Sequence, residues 1–149
     1  MDHGVKAAEL FLNGYNCAQS VVVAFSDLTG LGESFSARLA SSFGGGMGRM
    51  REVCGAVSGM LMVLGLLYGY DPPGDDVSKK AQYTVVQELS ARLRERTGSI
   101  VCREILKNPP SDPNPSPRTA EYYAQRPCAR MVLTAASILD DYIKEHPYV

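Results

Sequence analysis

Four cysteines, Cys17, Cys54, Cys102 and Cys128, are the residues of this chain best suited to chemistry, because at least three stand where a helix should begin. Amides at a helix N-terminus lack partners within the helix and carry partial positive charge, so a thiolate placed there is stabilised. Sulfurs so placed either exchange electron pairs as thiols and disulfides or bind a metal. The cysteines lie 37, 48 and 26 positions apart, and no Cys-x-x-Cys is present. Neither a zinc ribbon nor a thioredoxin-type motif can therefore be read locally, and any shared site must be assembled by folding.

Cys54 has the most favourable local sequence. Gly55 and Ala56 leave its sulfur uncrowded, Gly59 lets a neighbouring helix pack closely one turn later, and Arg49 and Arg51 add positive charge nearby. All of this would lower a thiol pKa, which makes Cys54 the first choice for the nucleophile. The preceding run Gly44-Gly45-Gly46-Met47-Gly48 reads as a loop whose amides can approach a ligand closely. Gly45, Gly46 and Gly55 are the backbone positions expected at such a contact.

The elements that must position these residues follow from periodicity. A short first helix from Val5 stops at Asn13-Gly14, and Asn16 caps a second with Cys17 in its first turn and Val21, Val22, Phe25 and Leu28 facing inward. Ser34 or Ser36 caps a shorter helix reaching Phe43. The stretch from Val53 through Tyr68 is apolar around its whole circumference, as a central helix surrounded by others would be. A long helix over residues 77–96 repeats Ala81, Val85, Leu89 and Leu93 at four-residue steps and closes at Thr97-Gly98. Ser99 caps a short helix carrying Cys102. Five prolines within residues 108–117 rule out helix and predict an extended excursion across one face. Pro127 sits at the first position of a last amphipathic helix, beside Cys128. No strand is predicted. The expectation is an all-α single domain, residues 1–149, forming a compact bundle of six or seven helices around a central apolar helix at about 52–69.

Cys17, the block Cys54-Gly55-Ala56-Val57-Ser58-Gly59, Cys102 and Cys128 together resemble the C_GCAxxG_C_C family of four-cysteine redox-active proteins, in order and rough spacing over about 110 residues. The resemblance implies a redox role inferred from the cysteines, without a settled substrate or cofactor.

Two chemistries compete for the four sulfurs. In one, a Cys54 thiolate attacks a disulfide or peroxide-type substrate and Cys17 or Cys128 closes an internal disulfide, with thiol–disulfide exchange or electron transfer as the activity. In the other, Cys17, Cys54, Cys102 and Cys128 hold zinc or an iron–sulfur cluster, and the protein is a module that docks to an oxidoreductase partner. A redox partner protein or a small thiol or disulfide is the expected counterpart. Tyr122 and Tyr123, with the apolar central helix, would suit a homodimer surface.

Other candidates are weaker. His3 and His146 lie near the ends and are expected to be exposed rather than ligands. The glycine run has no Lys followed by Ser or Thr and is not a phosphate loop. Asp75-Asp76 and Asp140-Asp141 diverge on a helix surface. Met47, Met50, Met60 and Met62 read as core filler. Fifteen basic against sixteen acidic residues give a net charge of -1, which draws the chain to neither nucleic acid nor an anionic membrane. The apolar stretch at residues 56–70 is too short and glycine-rich for a membrane span. The N-terminus shows no export signal, so the expected location is the cytoplasm, where four thiols are not a permanent disulfide framework.

Overall fold

The computed structural model describes residues 1–148, and among them it is all-α. The helices are α1 (His3–Leu12), α2 (Cys17–Ala24), α3 (Ser26–Thr29), α4 (Glu33–Ala40), α5 (Gly55–Tyr68), α6 (Asp76–Thr97), α7 (Cys102–Ile105), α8 (Ala120–Gln125) and α9 (Cys128–Glu145). A 3-10 turn at Ser41–Phe43 follows α4. Nine helices stand where six or seven were expected among the described residues. Phe25 (φ -95°, ψ 13°) divides the expected second helix into α2 and α3, and α8 is separate from α9.

Capping explains most boundaries. The Asp2 carboxylate accepts from the Val5 N–H and starts α1 earlier than periodicity suggested. Asn16 and Gln19 form a reciprocal capping box at α2, which fixes Cys17 as its first residue. Neither Ser34 nor Ser36 caps α4; Gly32 precedes it and Ser36 is buried inside. Ser99 is not the cap but stands two residues before the N-cap Val101: its Oγ accepts from Val101 N–H (3.0 Å) and donates to Glu104 (2.6 Å), holding the entrance to α7. Pro127 is the residue just before α9, so Cys128 begins the helix.

The most enclosed helix is α2, not the apolar α5. Ala18 and residues 20–25 are all fully buried, and α2 packs on α1, α4, α5 and α9. Each buried Val or Phe there contributes about 1.5–3 kcal/mol relative to exposure. The first turns of α5 share this core through Ala56, Val57, Met60, Val63 and Leu64, but its last turns reach the surface, where Leu66 is 48% exposed. A Cβ at Gly59 would lie 2.8 Å from the Ala18 carbonyl oxygen, so this glycine sets how closely α5 crosses α2.

His3 is not an exposed terminal residue. Its ring is 5% exposed, stacks on Phe25 at 4.2 Å, and lies between two carboxylates. Nδ1 is 2.6 Å from Asp140 and Nε2 is 2.9 Å from Asp27. Asp140 also accepts from the His3 N–H (2.9 Å), so α1, α3 and α9 are tied together by one side chain. A carboxylate lies at each ring nitrogen, so the buried ring has a hydrogen-bond partner on both sides. Asp140 is therefore a structural partner rather than a solvated half of a pair. His146 is exposed and stacks on Tyr142.

Candidate functional site

The segment before α5 builds the site. Gly44–Met47 is closed by helix-type hydrogen bonds, but its hand is reversed: Gly45, Gly46, Met47, Gly48 and Arg49 have φ of 66°, 71°, 69°, 57° and 67°. What the sequence presented as a loop is a left-handed turn. Three glycines make it tolerable, while Met47, Arg49 and Arg51 (φ 62°) each carry about 1–2 kcal/mol of strain. Gly46 is required twice, since a Cβ would also lie 2.7 Å from Cys102 Cβ and 2.7 Å from the Glu52 nitrogen. The turn ends by feeding Glu52 into an antiparallel bridge, Val53 opposite Val101. Cys54 N–H donates to Ile100 O (2.8 Å) and Cys102 N–H to Glu52 O (2.7 Å). Two Val-Cys pairs thus face each other across the bridge, each with a helix starting at or just after its cysteine.

All four cysteines line one cavity of about 430 Å³, together with Gly45, Gly55, Arg49, Arg51, Tyr122 and Arg126 among others. All four are free thiols; Cys17, Cys54 and Cys102 are buried and Cys128 partly so. All six pairs are close enough for charge on one sulfur to bear on another. Cys17 stands in the middle: its charge weighs more on Cys54 and on Cys128 than that of any other thiol. Its sulfur would lie 2.5 Å from a Cβ placed on Gly55, so the glycine after Cys54 is what lets α2 and α5 bring these two sulfurs together. Of the glycines expected to face a ligand, Gly45 and Gly55 line the cavity, while Gly46 packs against Cys102.

Helix ends and nearby cations do not make Cys17, Cys54 or Cys128 acidic. Burial pushes the Cys54 thiol well up, with the charge of Cys17 adding to it, although the Ala56 N–H faces the sulfur without closing a capping bond. Burial also raises Cys17, against the opposing amides of Gly45 and Ala18, and lifts Cys128 to about 12. The expected acidity of Cys54 is thus reversed, because desolvation shifts a buried group by up to several pKa units while a helix end offers about 0.3–1 kcal/mol. In the reduced, folded protein, iodoacetamide should modify Cys128 roughly a thousandfold more slowly than free cysteine near pH 7, with Cys17 and Cys54 also slow. Their raised values stabilise the fold below the ordinary thiol pKa of about 8.5, and that contribution is lost as pH climbs toward 12. Peptide mass spectrometry across a pH series measures the rates. A Cys128 rate equal to that of free cysteine at pH 7 would contradict the burial.

The burial of Arg51 is the feature the sequence concealed. It is 3% exposed; its Nε donates to Pro110 O (2.9 Å), its Nη1 approaches Cys102 Sγ at 3.7 Å, and its Nη2 is buried with no partner. Arg49 reaches the same proline-rich segment, with Nε on Asp112 O (2.7 Å) and Nη1 on Ser116 Oγ (3.1 Å). The proline excursion is therefore a strap over the thiols, and Pro113, Pro115 and Ser116 line the cavity. Its last residues lead to Arg118, which donates to the carbonyls of Phe11 and Tyr15 (3.1 Å each) and lies over the rings of Phe11 and Tyr122. Tyr122 and Tyr123, expected on a dimer surface, are engaged within the chain by Arg118 and by each other. The five prolines and the arginine spacing were the available signals for this roof.

A metal centre needs several donors converging on one point. Among the described residues, no three His, Cys, Asp or Glu side chains are so arranged, and the four sulfurs would have to be drawn together to hold zinc or a cluster. No described helix is long and apolar enough to cross a membrane.

No curated protein and no solved structure matches this chain. Residues 15–142 match the family described as "Putative redox-active protein (C_GCAxxG_C_C)", a span that takes in all four cysteines, the strap and the start of every helix that carries a thiol. With most of its length covered, the chain belongs to the C_GCAxxG_C_C family.

Proposed function

We propose that the protein performs thiol–disulfide exchange, passing electron pairs between its cysteines and a disulfide that reaches the cavity. The observation that carries this reading is the gathering of four free thiols, scattered over the sequence, around one cavity with a buried guanidinium beside one of them. Four free thiols also fit a reducing compartment such as the cytosol.

Cys102 is the attacking sulfur. Negative charge that builds on it is paired with Arg51 at 3.7 Å, a partner that no other sulfur of the cavity has, while burial raises the pKa of Cys54, Cys17 and Cys128. The Cys102 sulfur bonds to one sulfur of the substrate, the substrate S–S bond breaks, and the departing thiolate takes up the proton released by Cys102. Cys17 then attacks the Cys102 sulfur of the mixed disulfide. The second substrate fragment leaves as a thiol with the Cys17 proton, and an internal disulfide has formed. One substrate disulfide is reduced to two thiols as two cysteines are oxidised. A thiol reductant or a partner dithiol restores the cysteines by the reverse exchange. Cys54, held against Cys17 through Gly55, is the next sulfur able to enter that disulfide.

Incubating the reduced protein with hydroxyethyl disulfide tests this. Two thiols per chain should disappear, two equivalents of mercaptoethanol should form, and peptide mapping should place the disulfide on Cys17. Retention of all four thiols after prolonged exposure would sink the reading.

A further inference from the structure

The cavity is polarised in one direction. Arg49, Arg51, Arg118 and Arg126 line it, and no Asp, Glu or His does. Three of these cations are engaged: Arg49 by Asp112 and Ser116, Arg118 by backbone carbonyls and aromatic rings, and Arg126 by the Tyr122 ring and Ser116. Arg51 differs. Its Nε is committed to Pro110 and its Nη1 to Cys102, yet Nη2 of this cavity-lining residue is buried and unsatisfied. A buried N–H of a cation without an acceptor is costly, and natural structures retain such a group where an acceptor is brought to it.

We infer that Arg51 is an anion subsite within the thiol cavity, so that the substrate is a small disulfide carrying a carboxylate. This rests on the thiol–disulfide reading for the identity of the reacting group, but the subsite itself stands on Arg51 alone. Nη2 donates to the carboxylate while Nη1 stays beside Cys102, so one guanidinium binds the substrate and faces the attacking sulfur. The geometry suits a ligand whose carboxylate and sulfur are separated by a short alkyl chain, since both contacts fall on one planar group. The apolar surface offered by Leu106, Ile105, Met131 and Pro113 receives the alkyl part. Arg51 is a positioning residue: it holds the substrate and sets the field at Cys102. Its strained left-handed backbone keeps the side chain directed inward beneath the strap.

Three disulfides of similar size and different charge provide the test on the reduced full-length protein: dithiodipropionate (anionic), hydroxyethyl disulfide (neutral) and cystamine (cationic). Rates of thiol loss are divided by the rates of the same compounds with mercaptoethanol, which removes their intrinsic reactivity. Dithiodipropionate should be favoured over hydroxyethyl disulfide by about tenfold or more, as a charge-assisted hydrogen bond requires, with cystamine slowest. In Arg51→Gln the normalised ratio should fall to about one. Octanedioate, the unreactive isostere of dithiodipropionate, should bind wild type by calorimetry, slow the anionic reaction, and bind Arg51→Gln at least tenfold more weakly. Equal normalised rates for the three compounds in wild type, with no octanedioate binding, overturn the subsite whatever Arg51→Gln does to folding. The two readings fail separately. Oxidation by hydroxyethyl disulfide without charge selection removes the subsite and leaves the redox reading, while octanedioate binding with all thiols inert to every disulfide upholds the subsite and removes the redox reading.

Discussion

Cys102→Ser should lower the rate of substrate disulfide reduction by about a thousandfold or more, because a serine hydroxyl cannot form the first mixed disulfide. Cys17→Ser should behave differently. Attack would still occur, but with the middle sulfur gone the substrate fragment should remain attached to Cys102 as a stable adduct, visible in the intact mass. Cys54→Ser should retain the first exchange and lose only later transfer of the disulfide. The three variants separate two assignments of the nucleophile. By local sequence Cys54 is the first choice, since Gly55, Arg49 and Arg51 beside it would lower its pKa. Burial raises the Cys54 thiol, and the approach of the Arg51 guanidinium to Cys102 instead favours Cys102. If Cys102→Ser reacts at the wild-type rate while Cys54→Ser is inert, the attack belongs to Cys54 and the field of Arg51 plays no part in it.

Gly46→Ala should destabilise the fold by about 2–5 kcal/mol and lower the melting temperature by roughly 10 °C. Two effects add. Its backbone, at φ 71°, is left-handed, where alanine is disfavoured by about 1–2 kcal/mol. Its Cβ would also meet Cys102 Cβ, the Glu52 nitrogen and the Arg51 carbonyl carbon at 2.7–2.9 Å, and two of these are backbone atoms that cannot turn away. Gly45→Ala is the matched control. That position has a similar φ of 66°, but the nearest neighbour of its Cβ is Arg49 Cγ, part of a flexible side chain. The difference in melting temperature between the two variants measures how tightly the turn is pressed onto Cys102. Equal shifts would mean that backbone strain alone is at stake and that the close approach yields without penalty.

Much of the framework was legible because it follows local rules. Asn16 announced α2 and placed Cys17 at its start; four-residue steps of Ala81, Val85, Leu89 and Leu93 announced α6; Pro127 and Cys128 announced α9. The meeting of four sulfurs followed from their shared preference for helix starts. Their acidity did not, because it depends on how completely the surroundings exclude water, and the apolar pattern of one helix does not report what its neighbours cover. The burial of Arg51 and of His3 was missed for the same reason. Arginine and histidine are ordinarily exposed or half-exposed, and only the tertiary arrangement supplies the partners that allow them inside. The left-handed turn was half visible: Gly44, Gly45, Gly46 and Gly48 signalled unusual backbone, yet nothing in the types of Met47, Arg49 and Arg51 says that they share it.

The small antiparallel bridge has a consequence for breathing motions. Its two hydrogen bonds are donated by the amides of Cys54 and Cys102 themselves. Deuterium uptake at those two positions therefore reports directly on separation of the segments that carry the sulfurs. Because neither bond belongs to a helix, the pair can part while α5 and α7 stay wound. A protein that opens this clasp to admit a bulky guest would lose protection at residues 54 and 102 together, well before the helices behind them exchange.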